Sequence, residues 1–366
     1  MSTGLGSSVR EWLAGPPSDG GGVDPGERTD DGHGDRAAGT ALARRAVLGS
    51  WLVFAALTVA FAAFATAGVS VPLRYRALAY LGLMGTVSLY HGGFEHVVNL
   101  RGRGEGFGLR YLLAYLGLIV VAYDVFVLSP LVGLAAALAI TALKAGHGGL
   151  AVLDAVVGTD HLRSRVQRAL ATAVRGGAVL IPAYVVDPGL YAMYAGYMVN
   201  VFEPGALGPY LWAFAEPTVS LVGGVYAGAV GAHLALGGLR GGFGRTWRVD
   251  AGETLLLVAF FLAVPPALAI GVYFPCWYAA RGTARLTAGD GGPATARGVV
   301  ARVARGGALP WVAALALFGL GAALLPRTPV SAAGWVGFYS VAVSVIAVPH
   351  VVVGSYLDRA RGIWSA

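Results

Sequence analysis

Charge is scarce in this sequence. Acidic and basic residues together make up 12% of the 366 positions, against 56% apolar ones, where a soluble globular domain carries about 25% charged residues. Lysine is nearly absent: Lys144 is the only one, so the net charge of +7 rests on arginine. Those arginines lie in short loops between apolar runs, where the cytoplasmic loops of membrane proteins collect them. A nucleic-acid surface would instead gather them on one face, and a nucleic-acid partner is excluded on that ground. Cysteine also occurs once, as Cys276, which rules out an intrachain disulfide and any multi-cysteine metal site. The short alternating segments of a transmembrane β-barrel are missing as well.

What the sequence does have are apolar runs of about 20 residues, the length that crosses a bilayer core. They fall at 46–69, 77–99, 108–128, 130–157, 169–186, 189–203, 207–238, 252–280, 308–325 and 333–356. The expected fold is all-α: a polytopic transmembrane helix bundle of about 8–10 spans over residues 43–366, multi-pass in the cell membrane. Residues 1–42 include GPPSDGGGVDPGERTDDGHGDR, without apolar periodicity and rich in Gly, Pro and Asp. That composition predicts a disordered tail. With ten crossings and both termini inside, eleven arginines, Arg281 among them, fall in inside loops and six in outside loops, the bias expected for that orientation.

Ionisable side chains in a bilayer cost several kcal/mol and mark cavities or partners. The candidates are His91, Glu95, His96, Asp124, Lys144, His147, Asp154, Glu216, His233 and His350. In SLYHGGFEHVVNL, His91 and Glu95 are four apart and share one helix face, while His96 points elsewhere, towards the head-group layer. In KAGHGGLAVLDAV, Lys144, His147 and Asp154 fall within one arc of the fourth span. His91 and His147 are each followed by Gly-Gly, which lets a ligand or a second backbone come close. Histidines on several helices can meet in a bundle core, where cofactor and metal sites are built, and imidazole suits iron, copper and zinc. His91, His147 and His350 are accordingly expected to share one cavity. The alternative for each histidine is a bond to a neighbouring helix or a water cavity.

YHGGFEH, GHGGLAVLD, RGGAVLIPAY, YFPCWYAARGTARL and VAVPHVVV occur in this order over about residues 77 to 361. Together they resemble the Brp/Blh family of membrane β-carotene 15,15′-dioxygenases, often found alongside microbial rhodopsins. The resemblance implies oxidative cleavage of β-carotene to retinal at a non-haem Fe(2+) site, with His91 and His147 as metal ligands. Glu95 and Asp154 would then support them from behind. Where the family has a His-x-x-x-His pair, this sequence has Tyr278 and Gly282. His233, Tyr278 and His350 are therefore the candidates to replace the missing ligands or to line the cavity.

Three functions compete. The first is a carotenoid-cleaving dioxygenase acting on a carotenoid held in the lipid bilayer. The second is a non-catalytic relative that binds carotenoid or retinal or assists a rhodopsin, which the loss of the histidine pair supports. The third is a proton-coupled carrier with Lys144, Asp154 and Glu216 as a relay, weakened by the lack of matching broken helices in two halves. Lys144, mid-chain on the fourth span, is expected to face water or pair with a carboxylate rather than hold an aldehyde.

Overall fold

The computed structural model describes residues 31–101, 108–289, 295–325 and 327–359. Among them every regular element is helical and there is no β-strand. In chain order the helices are α1 (Asp31–Thr66), α2 (Leu73–Leu83), α3 (Leu89–Arg101), α4 (Leu109–Leu128), α5 (Pro130–Val156), α6 (Arg165–Val186), α7 (Pro188–Asn200), α8 (Glu216–Gly241), α9 (Arg245–Ala263), α10 (Pro266–Val272), α11 (Ala280–Gly289), α12 (Ala296–Ala323) and α13 (Ala332–Arg359). Seven of these, α1, α4, α5, α6, α8, α12 and α13, are long and apolar enough to cross a membrane. The protein is a multi-pass membrane protein. Of the tail expected over 1–42, residues 1–30 lie outside the described residues, and α1 begins at Asp31.

Two of the expected spans are spliced rods. The 77–99 run folds as α2 and α3 joined by a π turn, Met84–Ser88. The 252–280 run is broken at Pro265-Pro266: Val264 is forced into an extended conformation, as a residue before proline prefers, and ends α9. The chain restarts as α10 and continues through a second π turn, Tyr273–Ala279, into α11. Such π turns insert an extra residue into the helical ladder and often mark functional sites. Here the two pack against each other.

Local chemistry fixes the other ends. Ser164 and Asp187 cap α6 and α7 by accepting from the amides of Gln167 (3.2 Å) and Leu190 (2.9 Å). Proline at the first turn starts α5 and α7, where its missing N–H costs nothing. Helices α5 and α6 run antiparallel in close contact because Gly146 faces the Thr172 carbonyl and Gly176 faces that of Ala142. A Cβ at either position would collide with backbone. The main apolar core gathers Phe54, Phe260, Phe261, Tyr273 and Trp277 from α1, α9 and the second π turn.

Candidate functional site

The rod α2–α3 delivers His91 and Glu95 to one face, as their spacing requires, and the His91 Nε2 lies 3.9 Å from the Glu95 carboxylate. The opposite wall is α13. Pro349 sits inside that helix, and the next residue, His350, places its Nε2 3.0 Å from the same Glu95 oxygen. Glu95 is thus the hub between two imidazoles from two helices. The His91 ring is oriented from behind by Thr283, whose hydroxyl lies 2.8 Å from Nδ1. Its edge meets Tyr278 at a ring separation of 5.7 Å.

His96 corrects the expectation that it faces the head groups. It is buried, stacked edge-on to His350 at 4.5 Å, with Nδ1 3.0 Å from the Tyr111 hydroxyl. The physical reason is that α4 and α13 enclose α3 on its second side as well, which one helix's periodicity cannot reveal. Its Nε2 is buried with no hydrogen-bond partner among the described residues.

Beside this cluster lies a cavity of about 90 Å³, lined by both π turns, α5 and α13. His91, Lys144, Phe274, Tyr278 and Val343 are among its walls. The Lys144 ammonium nitrogen stands 5.6 Å over the Tyr278 ring. Gly148, one turn along α5, leaves room for that ring, since a Cβ there would sit 2.5 Å from Tyr278 Cε2. A Cβ at Gly282 would sit 3.3 Å from His91 Cε1. Both positions at which the sequence departs from the histidine pair therefore abut His91.

His147 and Asp154 line a second cavity, of about 910 Å³ between α5 and α6, together with Arg165 and Arg168. The expected arc of Lys144, His147 and Asp154 is split: the lysine serves the first cavity, the other two the second. Asp154 pairs there with Arg168 at 3.4 Å and accepts from Thr159.

A third group was not foreseen. Arg175 of α6 binds Asp250 (2.6 Å) and Glu253 (3.0 Å) of α9. Glu253 also takes Arg281 (2.5 Å) and the Trp51 indole (2.8 Å). His161 and His233 approach the second Asp250 oxygen at 2.8 and 3.1 Å. This is where the structure places His233. Arg281, counted above as a loop charge, is instead buried and lies 4.3 Å over the Trp277 ring. The signal was present in the sequence, because Arg175 and Glu253 are opposite charges inside the apolar runs 169–186 and 252–280. Among the described residues, no group of three or more His, Cys, Asp or Glu side chains is placed to hold a metal ion.

Comparison with known proteins bears on what this arrangement serves. The sequence profile of the family described as Beta-carotene 15,15'-dioxygenase matches residues 82–358. A Halobacterium salinarum protein named "Probable beta-carotene 15,15'-dioxygenase Brp" is 40% identical over 333 residues, covering 86% of this chain and 92% of that protein, in each of two strains. A second Halobacterium salinarum protein, "Probable beta-carotene 15,15'-dioxygenase Blh", is 32% identical over 337 residues, covering 88% of this chain and 96% of its own length. No solved structure matches the chain. With more than half its length matched by the profile and most of it by these relatives, the chain belongs to the beta-carotene 15,15'-dioxygenase family.

Proposed function

We propose that this protein cleaves β-carotene oxidatively to retinal in the cell membrane, at the Glu95 cluster beside the cavity between the two π turns, with a rhodopsin as consumer of the product. The observation that carries this reading is the Glu95 hub. A carboxylate and two imidazoles from separate helices meet at the edge of a mostly apolar cavity, and the family relatives bear the name of that activity.

Oxygen insertion implies an O2-activating metal, and the resemblance implies Fe(2+). The donor chemistry suits it, since imidazole and carboxylate are the ligands of non-haem iron. The Thr283 contact behind His91 is the kind of outer support that orients a ligating histidine. On this proposal His91, Glu95 and His350 hold the ion, which supplies oxygen activation when bound. These donors do not close into a ready-made site as they stand, and His147 lies outside the set, on the second cavity. The protein's own contribution is positional. Phe274, Tyr278 and Val343 give the cavity apolar walls that keep water from whatever part of the polyene enters it, and Thr283 holds the His91 ring in place.

A second reading, a non-catalytic carotenoid- or retinal-binding relative, is favoured by one observation: Tyr278 and Gly282 abut His91 where the family has two histidines. Expression in a β-carotene-accumulating bacterium separates the two. Loss of orange colour with extractable retinal supports cleavage. Retained colour with carotenoid or retinal co-purifying supports the binder.

A further inference from the structure

We propose that Lys144 is a covalent aldehyde site: its amine condenses with the terminal aldehyde of a retinal-type polyene in the small cavity, forming an imine. The proposal rests on the reading that such an aldehyde is made or bound here. Lys144 extends from α5 into a pocket walled by Phe274, Tyr278 and Val343, and its nitrogen stands over an aromatic ring. Chemically this differs from a water-facing lysine. At about 90 Å³ the cavity admits the end of a chain rather than a whole polyene, so the group it brings to Nζ is a terminus. An aldehyde is the terminus that an amine captures.

The surroundings also supply what condensation needs. The amine adds to the carbonyl carbon, the C=O oxygen leaves as water, and a C=N bond to Nζ remains, so R–CHO and Lys–NH2 give R–CH=N–Lys and H2O. Ser88 and Ser344 line the same cavity and can hydrogen-bond the departing water. Once protonated, the imine is a cation in an apolar place and needs a counter-charge. In the metal-free protein Glu95, whose charge acts on Lys144, is the acid that can fill that role.

Because Lys144 is the only lysine, the test is unusually clean. Purified full-length protein in lipid nanodiscs is incubated in the dark with all-trans-retinal, reduced with cyanoborohydride, and mapped by mass spectrometry. The expected result is a reduced retinyl adduct on Lys144, lost in Lys144→Arg and in Lys144→Gln. The Met1 amine and urea-denatured wild type serve as reactivity controls. No adduct in folded wild type, or labelling of Lys144 no greater than in the denatured chain, overturns the proposal. Both results are read on wild type, so a variant that fails to fold does not blur them. Retinal formation from β-carotene is assayed separately on the same preparation. Labelling without turnover keeps the imine and sinks the cleavage reading; turnover without labelling sinks the imine alone.

Discussion

The bundle buries two polar clusters that solve the same problem in opposite ways. Around Asp250 and Glu253 every carboxylate oxygen has a donor, Arg175, His161, Trp51 or Arg281, and His233 lies 3.1 Å from Asp250. That cluster joins α1, α6, α8, α9 and α11, and its two acids are 1% exposed. Around Glu95 one oxygen gathers both imidazoles, the carboxylate side chain is 21% exposed, and a cavity opens alongside. Buried charges are tolerated when paired and hydrogen-bonded. In the first cluster every carboxylate oxygen meets that condition, although nitrogens of Arg281, His161 and His233 have no hydrogen-bond partner among the described residues, and the cluster serves the fold. In the second, Glu95 is more exposed and His91 lines a cavity, so this cluster is open to a ligand where the first is sealed.

The largest expected effect is in the closed cluster. Arg175→Ala strips both Asp250 and Glu253 of their shared cation, and removing one partner of a buried ion pair costs about 3–5 kcal/mol. The variant should lose most folded protein on size-exclusion chromatography and melt far below wild type in detergent. A near-normal melting temperature would break the contrast between the clusters, because it would mean that the buried acids had found water or a proton.

Next comes the paired change Tyr278→His with Gly282→His, which adds imidazoles to the open cluster. Position 282 already points at His91, with a Cβ expected 3.3 Å from Cε1. Removing a helix glycine also recovers about 1 kcal/mol, against some displacement of the His91 ring. Bound iron should rise above wild type in the double variant and by less in either single one. Unchanged iron in a folded double variant would show that the cavity is not the metal site.

Much of this contrast could be read in the sequence, and the limits are physical. The apolar runs gave the helices, and four-residue spacing put His91 and Glu95 on one face, because both depend only on the period of a single helix. The π turns were not legible, since MGTVS and YFPCWYA read as ordinary apolar stretches, and the extra residue arises from packing of the two rods. The inward turn of His96 depends on which helices flank α3. The Asp250 network depends on contacts 75 and 78 residues apart, Arg175 to Asp250 and to Glu253. Only the opposite charges stranded in apolar runs hinted at it. Separation of His91 from His147 likewise follows from which face of α5 borders the first cavity, since Lys144 lines that cavity with His91 while His147 lines the second.

A smaller change in stability, with a large one in function, is expected for Glu95→Gln. The amide keeps the shape and can still meet His350, so stability should change by about 1 kcal/mol, the scale of one hydrogen bond. Retinal output from β-carotene should nevertheless fall to background, because the hub carboxylate is gone. If output survives, the Glu95 cluster is not the reaction site, and the two clusters differ only in packing.

The smallest effect sharpens the comparison most. Thr283→Val is nearly isosteric and removes only the hydroxyl 2.8 Å from His91 Nδ1. Leaving one buried ring nitrogen short of a partner costs about 1 kcal/mol, at the low end for a neutral group, well below the Arg175→Ala effect. If His91 is a working side chain, its orientation matters more than that energy. A misplaced reacting group loses rate far out of proportion to the stability lost. Thr283→Val should therefore melt close to wild type yet make clearly less retinal, and Thr283→Ser, which restores the hydroxyl, should recover the output. Equal loss in the valine and serine variants would assign Thr283 to packing alone. Equal retinal in all three would mean that the His91 ring does not need to be held, and the open cluster would then be no more than a second structural network.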